Sequence, residues 1–522
     1  MAGGRFLVDG VGWGGWAAGV LLLGWVLRTL RWVWWTPRST ERKLRAQGID
    51  GTSYRFLFGD IRETMRLTRE AKSKPMPFSH DIPPRVLPFH HQIVKTYGKV
   101  SMTWLGVSPR VIIADPLLIR EVLLNKSGHI GKPKLGPLGQ LLVGGLLGYD
   151  GEKWAMHRKI INPAFHVEKL KRMLPAFSYC CAELVRRWES LLNPEGSCEV
   201  DVWLELQNFT RDVISRTAFG SSFEKGRRIF QLQDEQAELA LQSLQNFQIP
   251  GYREVDREME DLLREIIARR EKALRQAAPG AATGDDDLLG LLLQSNQVGF
   301  QEDGTSRGVA RMTTEEVIEE CKLFYFAGQE TTSILLTWAM VALAMHPSWQ
   351  DRARAEVLQV FGREKPDFDR LSQLKIVTMV LHEVLRLYPP VLFLSRITRA
   401  ATTVGEYSLP AGVQLQLAVL LVQHDPEYWG DDAGDFNPER FAEGVSRASK
   451  NQSPAAGTAF FPFGGGVRVC VGQGFAMVEA KMGLVSILQS FSFELSPAYT
   501  HAPSVVMTLQ PQHGAQVILR RL

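Results

Sequence analysis

Cysteine is scarce in this 522-residue chain: five residues, at positions 180, 181, 198, 321 and 470, with no Cys-x-x-Cys pair. So small and odd a set excludes a disulfide framework and points to a reducing compartment around the main domain. Without a second cysteine or paired histidines at ligand spacing, a structural zinc site is excluded too. Charge of one sign is also lacking. Sixty basic against 56 acidic residues leave a net +4, so the composition offers no footprint for nucleic acid. No Gly-x-Gly-x-x-Gly turn opens a βαβ unit, which removes a built-in flavin or nicotinamide domain. Internal repeats are absent. What remains is a chain 45% hydrophobic, long enough to bury a large core.

Long apolar runs are confined to the start. Val11 to Leu27 carries no charge, and its roughly 17 residues are at the lower limit for a membrane span. Arg28, Arg31, Arg38, Arg42, Lys43 and Arg45 follow it, whereas only Arg5 precedes it. That asymmetry leaves the C-terminal side in the cytosol. Trp13, Trp16, Trp25, Trp32, Trp34 and Trp35 supply interfacial anchors. A cleaved signal peptide would place its basic residues before the run and a small-residue site after it. The expected organisation is an anchor over 1–35, a connection over 36–60 and one domain over 61–522.

Within that domain, Pro75 to Pro88 reads as an irregular connection. Alternation around Val100–Trp104 and Arg110–Ala114 predicts a small sheet. Helical periodicity then dominates, over about His166–Ser190, Val202–Ala218, Val255–Leu274, Thr314–His346 and Gln350–Phe361. The segments Ala277–Asp287 and Gln301–Arg311 read as surface loops. The fold class is therefore mainly α with a small β region.

The stretch Phe463-Gly464-Gly465-Gly466-Val467-Arg468-Val469-Cys470-Val471-Gly472 precedes an apolar-periodic helix from about Phe475 to Leu488. A sulfur at a helix start meets unpaired N–H groups and the positive end of the dipole, which favour the thiolate that a metal requires. Arg468 adds positive charge two residues away. One thiolate as the sole protein ligand suits haem iron; the competing reading is a small buried hydrophobe near a turn. The pattern Phe463-x-x-Gly466-x-Arg468-x-Cys470-x-Gly472 resembles the haem-binding signature of the cytochrome P-450 superfamily, which makes Cys470 the expected iron ligand and haem b the expected cofactor.

Thr313 with Glu316 fits a capping box and His346-Pro347 a stop, so one helix of about 33 residues spans roughly 50 Å. Its middle reads Ala327-Gly328-Gln329-Glu330-Thr331-Thr332. Gly328 is a poor choice inside a helix unless something approaches closely. Two readings fit Glu330 and Thr331: proton delivery to iron-bound oxygen, or a Thr331 bond to the Ala327 carbonyl with Glu330 in a local network. The superfamily resemblance implies the first. Glu383 and Arg386, three apart within the apolar stretch Val380–Leu387, form a buried pair needing further partners. By the same resemblance Arg440 is its third member, and the network supports the cysteine loop. Haem propionates call for arginine. Arg158, on one helix face with Trp154, is a candidate; the resemblance adds Arg396 and Arg468, with Phe463 and Gly472 shaping the loop.

Four stretches are similar to the plant clan that includes secologanin synthase and some gibberellin, brassinosteroid and triterpenoid oxidases. They are Gln47-Gly48-Ile49 with Gly59-Asp60, Gly151–Trp154 through Asn162–His166, Phe326–Thr332, and Pro511–Ala515. The likeness implies a haem-thiolate monooxygenase behind a single-pass anchor in the endoplasmic reticulum membrane, its catalytic domain cytosolic. Dioxygen, a hydrophobic small molecule and NADPH-cytochrome P-450 reductase would be its partners, with no nucleic acid. After Ile249–Arg253 the chain passes directly to Glu254-Val255, where relatives of the clan carry several more residues; this shortened segment bears on substrate entry. The alternatives are a haem-thiolate isomerase or dehydratase, against which Glu330-Thr331 counts, and a haem-binding protein without activity. The substrate is illegible.

Overall fold

The computed structural model describes residues 6–134, 144–220, 223–243, 252–276, 287–297, 312–450 and 459–522. The expected loops at 277–287 (Asp287 apart) and 301–311, and most of the shortened segment at 249–253, lie outside the described residues.

The N-terminal helix Phe6–Leu30 passes through a π-helical turn, Arg31–Trp35, into the helix Thr36–Arg45. Its described apolar residues are exposed, Trp16 at 78% and Leu21 at 74%, and it is long and apolar enough to cross a membrane. Tyr54 ties its end to the domain: the hydroxyl donates to the Val33 carbonyl at 2.6 Å.

Twelve short strands follow among the described residues: β1 Val100–Leu105, β2 Ser108–Ile113, β3 Ile130–Gly131, β4 Ser197–Asp201, β5 Leu394–Thr398, β6 Thr402–Val404, β7 Tyr407–Leu409, β8 Gln414–Leu417, β9 Phe491–Leu495, β10 Pro503–Val505, β11 Leu509–Pro511 and β12 Gln516–Arg521. The β1–β2 hairpin expected from alternation is there, but it is one edge of a five-stranded sheet ordered β1-β2-β8-β5-β3. β2 and β8 pair in parallel with Arg110 opposite Gln414, a pairing between segments 304 residues apart that local pattern does not reveal.

The periodic segments form helices within a few residues of their expected ends: Val167–Leu191, Val202–Phe219, Tyr252–Gln276, Thr314–Met345 and Pro347–Phe361. The Pro75–Pro88 stretch is less irregular than its composition suggests. Pro83–Val86 forms one helical turn and Pro88 opens the helix Pro88–Tyr97, because proline at the first helical position loses no hydrogen bond.

Thr314–Met345 is the axis of the domain. Its capping box is complete: the Glu316 backbone N–H donates to the Thr313 hydroxyl at 3.2 Å, and the Thr313 N–H to the Glu316 carboxylate at 2.9 Å. Nearly every side chain from Val317 to Leu343 is buried, so the helix is apolar all round as an internal helix must be. Helix Val202–Phe219 packs closest. Gly328 is the contact point: a Cβ there would stand 2.6 Å from Ile214 Cδ1. The neighbouring Thr210 hydroxyl donates to the Gln329 carbonyl at 2.9 Å, pinning the two helices at that level.

Candidate active site

One stripe of the central helix is not sealed by packing. Phe326, Ala327 and Thr331 are half-buried between buried neighbours. Ala327 and Thr331, one turn apart, share a face. The Thr331 hydroxyl donates to the Ala327 carbonyl at 2.9 Å, the local bond that the second sequence reading anticipates. Its oxygen keeps lone pairs that can accept.

The cysteine loop lies opposite. Gly464 (φ 73°) and Gly466 (φ 65°) turn the backbone through the left-handed region, and a Cβ on Gly466 would meet the Leu123 carbonyl oxygen at 2.1 Å. The Cys470 N–H donates to the Phe463 carbonyl at 2.9 Å, closing the loop just before helix Gln473–Ser490. Cys470 has exposed surface although protein surrounds it closely, so it faces an internal cleft. Phe165 joins the two walls. Its ring lies 3.8 Å from where a Gly472 Cβ would stand and stacks on Phe324 of the central helix at 5.6 Å.

Burial pushes the Cys470 thiol up, while the Gly472 N–H and Arg158 pull it down without overcoming that cost. The expected contribution of Arg468 is not made. Its guanidinium turns to the Tyr149 carbonyl at 3.1 Å and to Asp150, and Arg158 is the cation near the sulfur. Ionisation here calls for a cation at the sulfur itself.

The arginines converge unevenly. Arg158 donates from Nε to Asn162 and from its terminal nitrogen to the Val469 carbonyl, both at 2.7 Å, bracing the cysteine loop. Trp154 lies under Arg468, the guanidinium 4.3 Å from its ring. Arg396, on β5, is buried and donates to the Ser395 carbonyl at 2.9 Å. Sequence reasoning missed Lys132, which follows β3. Desolvation, then Arg396 and Arg468, push its ammonium down to about 8; desolvation and Arg468 bring Arg396 to about 10. Asp150 faces this cluster, but it already serves Arg468, Arg399 and the Lys132 backbone N–H. Positive charge in excess of its carboxylates, with Arg396 buried and Lys132 and Arg468 half-buried, suits a ligand that brings carboxylates of its own. Open sulfur, flanking cations and a half-open helix face together fit haem b. No local signal marks Lys132; the strand pairing of β3 with β5 brings it there.

The structural triad assembles. Arg386 donates from Nε and a terminal nitrogen to both Glu383 oxygens at 2.8 and 2.7 Å, and both residues are fully buried. Its other bonds go to the carbonyls of Gln423, Ala433 and Asp435 at 2.8, 2.7 and 3.1 Å. Arg440 stands 3.5 Å from Glu383 and donates to the Trp429 carbonyl at 2.8 Å. Gln423, also unmarked in the sequence, carries the network toward the cysteine loop by accepting from the Phe461 N–H at 2.9 Å.

Glu330 does not touch Thr331. Its carboxylate turns to the β10–β11 hairpin, where the Thr508 hydroxyl donates at 2.7 Å and the Gln510 amide donates to the same oxygen.

Comparison with known proteins agrees with this geometry. The cytochrome P450 family matches residues 84–519. Cytochrome P450 CYP72A616 of Paris polyphylla is 59% identical over 513 residues, covering 95% of this chain and 96% of the relative. The 11-oxo-beta-amyrin 30-oxidase of Glycyrrhiza uralensis is 51% identical over 512 residues (95% and 96%), and cytochrome P450 72A15 of Arabidopsis thaliana 50% over 510 residues (95% and 96%). The chain belongs to the cytochrome P450 family: it is a haem-thiolate monooxygenase that binds haem b through a cysteine thiolate and works with dioxygen, a redox partner and a hydrophobic substrate.

Proposed function

We propose that this enzyme oxidises an apolar terpenoid-derived or steroid-like plant metabolite, with electrons from NADPH through a membrane-bound NADPH-cytochrome P-450 reductase. Its anchor is set in the endoplasmic reticulum membrane, with the catalytic domain on the cytosolic side. The observation that carries the reading is the uncovered Cys470 sulfur beside the central helix, to which Phe165 links its loop through Phe324. The relative described as an 11-oxo-beta-amyrin 30-oxidase supports the substrate class.

In this reading the Cys470 thiolate would hold the haem iron, within the Phe463–Gly472 loop. Arg396, Arg468 and the added Lys132 would neutralise the propionates; Trp154 orients Arg468, and Arg158 holds the loop while lending its charge. When bound, the haem supplies dioxygen activation, which a thiolate ligand favours. Around it, the chain excludes water and positions the substrate. The Thr331 hydroxyl orients a water in the cleft, and Glu330 passes it a proton. Glu383, Arg386 and Arg440 keep the loop in place and take no part in proton transfer.

The test is two-step. Reduced full-length protein treated with carbon monoxide should show a thiolate-ligated band. Purified enzyme with the reductase, NADPH and isotopically heavy dioxygen should then place one heavy oxygen on 11-oxo-beta-amyrin or a related triterpenoid or steroid. A thiolate band with product formed in the absence of NADPH would overturn the monooxygenase assignment.

A further inference from the structure

The proton-delivering carboxylate of the central helix is held by a different part of the chain. Neighbouring residues on a helix point about 100° apart, so Glu330 leaves the Thr331 face and reaches β10–β11. Both hairpin donors serve one oxygen: the Thr508 hydroxyl at 2.7 Å and the Gln510 amide, with Gln510 also 3.4 Å from the Thr508 hydroxyl. The second oxygen has only the Gln329 amide, at 3.3 Å. The hairpin is fixed to the same helix two turns on, where the Trp338 indole donates to the Leu509 carbonyl at 3.0 Å. At its base the buried Arg85 donates to the Pro503 carbonyl at 3.1 Å. Thr508 is 5% exposed and Glu330 6%, so these bonds form away from solvent, where geometry is enforced.

We infer that Thr508 and Gln510 are positioning residues for proton delivery: they set the direction and charge state of the Glu330 carboxylate, and delivery depends on their hold. The inference rests on the assignment of Glu330 and Thr331 given above. Burial pushes the Glu330 carboxyl up, and the two hairpin bonds pull it back toward the ionised form. The other charged groups acting on it are Asp234, which raises it, and Arg211, which lowers it; these pair with each other at 2.8 Å. Without the hairpin donors, only the weaker pull of Arg211 opposes burial. The turn between the strands carries exposed Val506 and Met507, and the Leu509 N–H donates to the Pro390 carbonyl next to exposed Val391. An apolar molecule resting on this turn is therefore one hydrogen bond away from the acid.

The test uses the full-length haem-loaded protein. Infrared difference spectra taken across pH follow the protonated-carboxyl band of Glu330, identified by its loss in Glu330→Gln. The double variant T508V/Q510M should raise the titration midpoint by about one pH unit, and Thr508→Ser should leave it unchanged. An unchanged midpoint in the double variant overturns the inference. In NADPH oxidation with the reductase, the share of electrons lost to peroxide should rise severalfold in T508V/Q510M, as in Glu330→Gln. A rise in Glu330→Gln without one in T508V/Q510M also overturns it. A shifted midpoint with no peroxide effect in Glu330→Gln upholds the positioning and refutes proton delivery by Glu330.

Discussion

The Cys470 sulfur sits between opposed influences, with packing raising its pKa and the Gly472 N–H and Arg158 lowering it. Replacing Cys470 with Ser removes the one soft donor of the cleft. The expected outcome is loss of the thiolate band in the reduced carbon-monoxide spectrum together with a fall in bound haem; an unaltered band would reject the ligand assignment. Glu383 offers a second check at this scale. Glu383→Gln leaves Arg386 fully buried with only carbonyls for partners, and breaking such a pair costs about 3–5 kcal/mol. Thermal unfolding followed by circular dichroism should show that loss, with haem content falling because Gln423 links the network to Phe461. Cys470, Glu383 and Arg386 were legible because each stands in a local pattern. Lys132, Gln423, Thr508 and Gln510 were not, because their roles come from partners reached by long-range pairing. Arg440 lies between these cases: its motif is local, but its bond to the Trp429 carbonyl is visible only in the fold.

Among the elements, the central helix was readable almost to the residue, since a capping box opens it and His346-Pro347 closes it. The sheet was not. β8 and β5 are short, and the pairing of β8 with β2 on one side and β5 on the other depends on the whole domain closing. Gly328 joins the two levels, being anomalous in sequence and explained by Ile214 in the fold. A Gly328→Ala change gains about 1 kcal/mol of helix propensity. It also sets a methyl group 2.6 Å from Ile214 Cδ1 and 2.8 Å from Cγ1, overpacking that costs about 1–3 kcal/mol. The clash outweighs the propensity, so the single variant should melt earlier than the parent. In an Ile214→Ala background the obstacle is gone, and the same change should raise the melting temperature. If the sign does not reverse, close approach at Ile214 is not the reason for glycine at this position.

Across the whole molecule, buried histidines set the acid limit. Burial pushes His80, His90 and His424 down to about 3, and His382 and His501 to about 4. Desolvation is why they resist protonation, and the single carbonyl that His424 and His501 each reach favours the proton without offsetting that cost. His501 donates from Nε2 to the Ser79 carbonyl at 3.0 Å, leaving Nδ1 to accept from the Tyr499 hydroxyl at 2.8 Å. His424 donates from Nε2 to the Leu387 carbonyl at 2.9 Å, and its Nδ1 has no partner to receive a new proton's charge. Unfolded, each titrates near 6.5 and takes up a proton that the folded chain refuses. Stability contributed by these groups is therefore complete above pH 6.5 and declines as pH falls through 6.5 toward their folded values, by about 1.4 kcal/mol per pH unit for each. Glu330 and Glu479, raised by burial, act oppositely: protonation relieves them as pH drops toward the carboxyl range. His91 and His346 are lowered as well, and Asp60, Asp234 and Glu319 are raised, so seven imidazoles stand against five carboxyls and acid lability dominates. The melting temperature should fall between pH 7 and pH 5, and an His424→Gln variant, whatever its own stability, should show a shallower decline over that interval. Equal slopes for parent and variant would remove His424 from the set that governs acid unfolding.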